Sequence, residues 1–194
     1  MKKLDDDDIR LAAKNSNIPY AALKAVIEVE TGNRSGFDKE GKPVILFEPH
    51  IFWRELDKVY YYTKREQMNT LFPDICAPKW DKSIYNTKPQ HVKLTVAAAL
   101  HWEAAHKSAS WGLGQVMGFN ALSIGYKSIQ EFVDAMYESE AKQLDAMIKF
   151  IIKHKLDSRL RQLDWAGFAL GYNGASYAKN AYDTKLKKAY LKYK

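Results

Sequence analysis

Apolar residues recur at helical spacing near the start of the chain. Asp5 to Asp8 predict the beginning of a first helix that runs to about Ser16, because carboxylates at a helix start meet unpaired backbone N–H groups. Pro19 fits the first turn of a second helix, which we predict to end at about Thr31. The apolar stripe of this second helix consists of Ala22, Ala25, Val26 and Val29. The chain is therefore expected to begin with two short helices.

The one convincing β-pattern of the sequence follows the second helix. Residues 32–36, Gly-Asn-Arg-Ser-Gly, break that helix. Residues 38–41, Asp-Lys-Glu-Gly, then predict a hairpin turn between residues 36–37 and 42–47. The sequence therefore predicts a small β-hairpin in the N-terminal third of the chain.

Helical patterns dominate the rest of the chain. One runs from Pro49 through Leu56, whereas residues 58–89 are polar, rich in tyrosine and interrupted by prolines, and are left unassigned. Residues 111–118 predict a glycine-rich turn followed by further helix. The other predicted helices are an alanine-rich one over residues 92–107, a long amphipathic one from Ser128 to about His154, one capped by Asp164 and stopped at Gly174, and one beginning at Asp183. The predicted fold class is mostly α, as a single domain over residues 1–194.

The composition is that of a folded protein with a preference for anions. Of the 194 residues, 46% are hydrophobic and 27% are charged, which excludes a disordered or collagen-like chain. A formal charge of +7 favours nucleic acid, an anionic membrane surface or an acidic cell-wall polymer as partner, without choosing among them. A C-terminal basic run, which is also explained as the solvated face of a last helix, contains Lys185, Lys187, Lys188, Lys192 and Lys194.

Signals for export and membrane insertion are not visible in the sequence. Residues 1–8 pass from Met-Lys-Lys-Leu into four aspartates, where a secretory signal needs an apolar region. No apolar stretch reaches the length of about 18 residues that a membrane span needs. The single Cys76 excludes an internal disulfide and is compatible with a reducing cytoplasm. We therefore expect a protein made in the cytoplasm without a signal peptide or transmembrane segment.

The second predicted helix carries two glutamates in different environments. Glu28 falls beside Lys24, one turn earlier, and is explained as its exposed ion-pair partner. Glu30 falls beside Val26 and Leu23 and occupies the last turn, where the helix dipole disfavours negative charge, so its pKa should be raised. A carboxyl that stays protonated near neutral pH can protonate a glycosidic oxygen. Glu30 is therefore a candidate general acid, the alternative being a boundary residue satisfied by a local hydrogen bond.

Other chemistries find no support in the residue spacing. His101 and His106 are five residues apart, so on a continuous helix they point about 140° away from each other and do not form a zinc pair. The Gly112-Leu113-Gly114 segment lacks the preceding strand and the third glycine of a dinucleotide fingerprint. We predict no metal and no cofactor.

Several motifs, taken in order, resemble those of known glycan-cutting families. The three motifs shared by goose-type lysozymes and lytic transglycosylases are matched by Glu30-Thr31-Gly32, Gly112-Leu113-Gly114-Gln115 with Met117, and Gly171-Tyr172-Asn173-Gly174. More closely, the chain resembles the N-acetylmuramidase family of phage endolysins, from about Ile9 to Tyr190. The segments that carry this closer resemblance are residues 29–32, 45–52, 110–120 and 164–169. The resemblance implies a lysozyme-like α+β fold.

The resemblance also implies an activity and a set of site residues. The expected reaction is cleavage of the β-1,4 bond between N-acetylmuramic acid and N-acetylglucosamine in peptidoglycan, with Glu30 as general acid. The implied substrate-binding residues are Gly114, Gln115, Met117, Tyr172, Asn173 and Trp111. The glycines are expected to let the backbone approach the saccharide, and Gln115 to bind sugar hydroxyl or N-acetyl groups. Trp111, Phe47 and Trp165 either stack on sugar faces or belong to the core.

The second carboxylate of such a hydrolase is left open. Glu48, after an apolar strand, is the first candidate for the nucleophile or base, and Asp38 in the hairpin is the alternative. Glu48 is also explained as a structural carboxylate paired to Arg54 or His50. If neither acts as a base, the reaction is a transglycosylation in which the sugar's own hydroxyl attacks.

The expected partners follow from the same resemblance and from the charge. We expect a monomer that acts on bacterial peptidoglycan, is attracted to an anionic envelope surface through the basic C-terminal helix, and binds no nucleic acid. A holin is expected to assist its release, and no separate wall-binding domain is visible. The rival hypothesis is a basic protein that binds membranes or nucleic acid through its last helix.

Overall fold

A computed structural model describes residues 3–60 and 62–194, which form α-helices joined by short turns, with three short strands. Met1 and Lys2, in the N-terminal segment where a secretory signal would need an apolar region, and Tyr61, in the unassigned stretch, lie outside the described residues. The chain divides into two compact units. The first comprises Met1–Val44, Gly112–Gly114 and Ala135–Lys194, and the second comprises Ile45–Trp111 and Gln115–Asp134.

Helices make up most of the elements, and the three strands are short. The α-helices are α1 (Asp6–Ser16), α2 (Tyr20–Thr31), α3 (Pro49–Asp57), α4 (Tyr62–Leu71), α5 (Gln90–Lys107), α6 (Ile129–Glu138), α7 (Glu140–Lys153), α8 (Asp157–Arg161), α9 (Trp165–Asn173) and α10 (Tyr182–Tyr193). The strands are β1 (Ile45–Phe47), β2 (Ala109–Trp111) and β3 (Val116–Met117). Short 3-10 helices cover Lys82–Ile84, Gly118–Asn120 and Ala175–Asn180. The predicted mostly α fold with a small β-part is confirmed.

The first two helices begin and end where the sequence predicts. The Asp5 carboxylate accepts a hydrogen bond from Asp8 N at 2.8 Å, and the Asp8 carboxylate accepts one from Asp5 N, so the two aspartates form a capping box. Helix α2 ends at Gly32, whose φ of +56° is in the left-handed region and whose N–H donates to Glu28 O. The residues from which the ends of these helices were predicted therefore form the caps in the structure.

Helix α10 packs on α2 within the first unit. Leu186 and Ala189 of α10 are buried. The Glu28 carboxylate accepts hydrogen bonds from Lys192 Nζ and, at 2.6 Å, from the Tyr193 hydroxyl. The expected pairing of Glu28 with Lys24 is therefore wrong, because the two helices bring Glu28 to the end of α10. The basic run belongs to a packed helix rather than to a free arm.

Lys24 has a different partner from the one expected. Its Nζ lies 2.9 Å from Asp6 Oδ1, so the ion pair joins α2 to α1 instead of lying along α2. The same Asp6 oxygen also accepts a hydrogen bond from the Tyr20 hydroxyl. These contacts fix the packing of α1 against α2 that precedes the candidate acid.

The predicted helix over residues 128–154 is two helices. Ser139 has extended backbone angles, and its hydroxyl accepts a hydrogen bond from Lys142 N at 3.3 Å, which caps the start of α7. The apolar period continues through this break, so the pattern alone did not reveal it. Helix α6 therefore ends at Glu138, and α7 presents its own buried face within the first unit.

The second unit contains the three-stranded antiparallel sheet, in the order β1-β2-β3. Ile45 pairs with Trp111, and Ser110 pairs with Met117. The predicted hairpin over residues 36–47 keeps its turn but only a single bridge, between Phe37 and Pro43. Its second strand instead joins β2, which the sequence had not predicted because these strands are only two or three residues long.

Helix α5 is interrupted at His101. This residue has φ −161° and ψ 104°, and its Nδ1 accepts a hydrogen bond from Ala104 N at 3.1 Å, which resembles a cap. The predicted helix over residues 92–107 is thus two helical segments, and the angle of 140° between His101 and His106 assumed a continuity that is not present.

In the unassigned stretch 58–89, the described residues form α4 and one 3-10 helix. No helix of residues 3–60 and 62–194 combines the length and apolar character needed to traverse a bilayer.

Candidate active site

Glu30 lies in the last turn of α2, half-buried, with one polar neighbour from α9. Asn173 Nδ2 donates a hydrogen bond to Glu30 Oε1 at 3.4 Å. Burial raises the pKa of Glu30, and the hydrogen bond from Asn173 only partly opposes this effect. The direction of the pKa shift is the one predicted from the apolar neighbours of Glu30. The carboxyl is therefore biased toward the protonated form that a general acid needs.

Tyr172 connects this carboxyl to the glycine-rich turn. Its hydroxyl donates a hydrogen bond to Gly114 O at 3.1 Å. Its ring stacks on Phe168 with centroids 5.3 Å apart and meets Phe150 edge-on. Burial, with a smaller contribution from the charge of Glu30, raises the pKa of Tyr172 well above its usual range, so the hydroxyl stays a proton donor. Within the first unit, the structure thus brings together four predicted site residues: Glu30, Gly114, Tyr172 and Asn173.

Tyr182 is a neighbour of Glu30 that the sequence did not predict. It begins α10 and follows Ala181, which has a left-handed φ of +50°. Burial first, and the charge of Glu30 second, raise the pKa of Tyr182, which places its phenol within electrostatic reach of the carboxyl. No local signal marks this residue, because its position depends on the packing of α10 against α2.

The glycines of the predicted sugar-binding turn face helix α7. A Cβ atom on Gly114 would lie 2.7 Å from Met147 Cβ, and one on Gly112 would lie 2.6 Å from Gln143 Cδ. Both distances are too short for real carbon contacts, so only glycine fits without movement. The close approach that these glycines permit is to a protein helix, whereas we had expected it to be to a saccharide.

Gln143 holds this turn and the segment after α2 through buried hydrogen bonds. Its side chain is 1% exposed. Oε1 accepts from Leu113 N at 3.0 Å, while Nε2 donates to Gly36 O at 3.3 Å and to Met136 O at 2.9 Å. A buried amide that satisfies three backbone groups fixes the positions of both segments. No sequence signal marks this role, because Gln143 lies within an amphipathic helical pattern.

The other predicted binding residues lie in the second unit. Gln115 is exposed, has φ +46°, and its Oε1 accepts a hydrogen bond from the Ser110 hydroxyl at 2.9 Å. Met117 is half-buried in β3, opposite Ser110. An exposed amide held in one orientation remains suited to bind a polar ligand.

Trp111 belongs to the core of the second unit. Its side chain is 1% exposed, its indole N–H donates to His106 O at 3.2 Å, and its ring meets Phe132 edge-on. Phe47 is likewise fully buried, whereas Trp165, in the first unit, is half-buried against Tyr190. Of the two interpretations left open for Trp111 and Phe47, the structure therefore supports the core, and a sugar-stacking role for Trp111 is corrected on this ground.

The two candidates for the second carboxylate have different surroundings. Glu48 is 18% exposed, accepts a hydrogen bond from the Tyr85 hydroxyl and lies 3.4 Å from His50 Nδ1. Asp38 Oδ1 accepts hydrogen bonds from Glu40 N and Lys42 N, both at 2.9 Å. The Asp38 carboxylate is thus used to close its own turn. Of the two, Glu48 has the environment better suited to chemistry, and its partner is His50 rather than Arg54.

Neither a metal-binding cluster nor a reactive thiol is found among the described residues. Among the described residues, no group of three His, Cys, Asp or Glu side chains is placed to hold a metal ion. Cys76 is fully buried, and burial raises the pKa of its thiol to about 12. Near neutral pH this cysteine is a protonated core residue rather than a nucleophile.

Comparisons with known proteins identify a family model and a solved structure that the chain resembles. A family model described as N-acetylmuramidase matches residues 19–194. The crystal structure of the Burkholderia AP3 phage endolysin is 35% identical, has a TM-score of 0.86, and is matched over 99% of this chain and 72% of that chain. No curated protein matches the chain significantly. The similarity to the solved endolysin runs through both compact units.

Proposed function

The chain belongs to the N-acetylmuramidase family of endolysins, and on this premise we propose how it cuts its substrate. It is a peptidoglycan-degrading enzyme, as its family and its likeness to a phage endolysin indicate. The proposed reaction is hydrolysis of the β-1,4 glycosidic bond between N-acetylmuramic acid and N-acetylglucosamine. Glu30 is the proposed general acid.

The observation that carries this proposal is the raised pKa of Glu30 beside Tyr172 and Asn173. Because Asn173 Nδ2 donates to Oε1, the protonated carboxyl carries its hydrogen on Oε2. That hydrogen passes to the glycosidic oxygen as its bond to the sugar carbon breaks, so the leaving sugar departs as an alcohol. The hydrogen bond from Asn173 then stabilises the carboxylate that remains.

Glu48 is the proposed second carboxylate. The Tyr85 hydroxyl donates to it and His50 Nδ1 lies 3.4 Å from it, whereas Oδ1 of Asp38 is already bonded within its own turn. In this role Glu48 either activates the attacking water or bonds to the sugar carbon. A transglycosylase needs neither step, because the sugar's own hydroxyl attacks and the product is one water lighter than the product of hydrolysis.

Glu30→Gln tests the assignment on purified sacculi. We expect lysis to fall by about two to four orders of magnitude with the fold preserved, because glutamine keeps the shape and the hydrogen bond from Asn173 but has no proton to give. Glu28→Gln is the matched control, since it changes a glutamate two positions away that bonds to Lys192 and Tyr193. Lysis retained in Glu30→Gln would contradict the role of Glu30.

The mass of the released muropeptides separates the two reactions. Hydrolysis adds one water to each cut, whereas an anhydro product would favour the transglycosylase and remove the need for Glu48 as a base. A protein with no lytic activity but with affinity for anionic vesicles or nucleic acid would instead support the rival binding function.

The remaining expectations are proposals that follow from the family. We propose that the chain acts on the cell wall as a monomer, as one N-acetylmuramidase domain over residues 1–194, with α10 facing the anionic envelope. The match over residues 19–194 supports the single domain. Release assisted by a holin also remains a prediction.

A further inference from the structure

Trp80 is an exposed tryptophan on a loop of the second unit. Trp80 is 61% exposed, so most of its large apolar ring is in contact with water. Its ring lies against Tyr85, with centroids 6.0 Å apart. The Tyr85 hydroxyl in turn donates to the Glu48 carboxylate. The three side chains therefore form one continuous surface of aromatic and acidic groups.

Two polar side chains of α5 fix the loop that carries this surface. Gln90 Nε2 donates to Tyr85 O at 2.9 Å, and Gln90 Oε1 accepts from Phe47 N at 2.9 Å, which ties the loop to β1. Lys93 is fully buried and donates from Nζ to Ile84 O and, at 3.1 Å, to Tyr85 O. Burying an ammonium group against neutral carbonyls is costly. Together these bonds hold the backbone of Ile84 and Tyr85 against α5.

We propose that Trp80, Tyr85 and Glu48 form a saccharide-binding subsite for a ring of the glycan substrate. The inference rests on the proposed function. A sugar ring has an apolar face of C–H groups and an edge of hydroxyl and N-acetyl groups. The Trp80 indole matches the face, and the Glu48 carboxylate and Tyr85 hydroxyl match the edge. A fixed platform loses little conformational entropy when the sugar binds.

The arrangement fits a saccharide better than a protein or a membrane. A buried protein interface is depleted of charged groups, whereas here a carboxylate lies beside the aromatic rings. Charge does not decide against a lipid surface, because exposed Lys79 and Lys82 flank the exposed Asp81. A hydroxyl-rich ring, however, supplies the donors that the Glu48 carboxylate can accept from, and the acyl chains of a lipid do not.

Equilibrium binding of a soluble peptidoglycan tetrasaccharide tests the subsite. Binding is followed by the indole N–H signals of the uniformly ¹⁵N-labelled full chain in the Glu30→Gln background, which limits cutting. We expect the Trp80 signal to shift on titration and Trp80→Ala to weaken binding about tenfold. Trp102→Ala is the matched control, because Trp102 is also partly exposed in the second unit but stacks on His106 at 4.1 Å. Its binding should be unchanged.

The outcomes separate the subsite from the proposed function. Two results together would overturn the subsite while leaving glycan cutting intact. These are an unchanged affinity in a folded Trp80→Ala variant, and a Trp80 signal that does not move when the chain carrying Trp80 is titrated. Failure of the chain carrying Trp80 to bind the tetrasaccharide would overturn the subsite too. Loss of the general-acid role is read instead from lysis by Glu30→Gln, which does not depend on Trp80. If Trp80 strengthens the binding of cellotetraose as much as that of the peptidoglycan tetrasaccharide, the ring stacks on the sugar without recognising N-acetyl groups. That result would still support the subsite.

Discussion

Glu28 and Glu30 lie two residues apart on α2, yet their surroundings move their pKa values in opposite directions. Hydrogen bonds from Lys192 and Tyr193 lower the pKa of Glu28, whereas burial raises that of Glu30. A helix turns about 200° over two residues, so one side chain reaches α10 and the other faces α9. The difference in chemistry therefore comes from the faces of one helix.

The raised pKa of Glu30 predicts a pH-dependent stability difference. In the folded state the protonated form is favoured, so its contribution to stability is complete below the unfolded pKa of about 4.3 and is lost as pH rises through the folded pKa. Glu30→Gln stays neutral throughout. Relative to the unchanged protein, this variant should therefore gain stability in urea unfolding as the pH rises above the unfolded pKa of Glu30. A stability difference that is constant with pH would argue against a Glu30 carboxyl whose pKa is raised by burial.

At the scale of single residues, the sequence predicts those parts of the site that belong to short motifs. Glu30, Tyr172, Asn173 and Gly114 were all named from such motifs, and the structure brings them together in the first unit. Tyr182 was missed because it reaches Glu30 only through the packing of two helices distant in sequence. Periodicity describes a residue's own helix and contains no information about which helix will cover it.

Helix α7 supports both segments of the first unit that bear on the site. Gln143 bonds to the segment at Gly36 and to the turn at Leu113, and Met147 lies against Gly114. On the preceding turn, Glu140 accepts a hydrogen bond from Gly36 N at 2.9 Å. The glycines at these positions are therefore required by a neighbouring element rather than by local turn geometry alone.

This dependence predicts non-additive mutations at Gly36 and Gln143. A Cβ on Gly36 would overlap Gln143 Oε1, so Gly36→Ala should cost about 1 to 3 kcal/mol of unfolding free energy. Gln143→Ala removes the obstacle but strands buried backbone groups, at a similar or larger cost. Urea unfolding of the double variant should show a cost smaller than the sum by about 1 kcal/mol. Additive costs would mean that the two residues do not meet.

At the scale of elements, the sequence predicts short helices with clear end signals well and the interruptions of longer helices poorly. Helices α1 and α2 carry capping and stop signals within one turn of their ends, and their bounds are correct. The breaks at His101 and Ser139 lie inside continuous apolar patterns, because the core covers both sides of each break. The short strands β2 and β3 are too brief to show an alternating pattern.

For the whole molecule, the net charge follows from the sequence alone, whereas the fold determines which charged side chains are exposed. The net charge is +7, and α10 keeps Lys185, Lys187 and Lys188 exposed while Lys192 is taken by Glu28. A positive surface raises the local concentration of an anionic target without specifying it. The lysines are thus expected to affect how often the enzyme meets the wall more than how fast it cuts.

Lysis of intact wall preparations should therefore fall with ionic strength, while cutting of a small soluble glycan should not. The screening length drops from about 10 Å at 0.1 M salt to about 3 Å at 1 M, which removes long-range attraction but leaves contacts inside a site largely intact. Reversing the charges by Lys185→Glu, Lys187→Glu and Lys188→Glu should reproduce the loss at low salt and flatten the salt dependence. These positions are exposed, whereas Leu186 and Ala189 keep the helix packed, so the variant should stay folded. Equal salt sensitivity on both substrates would place the effect in the site itself and remove the role proposed for α10.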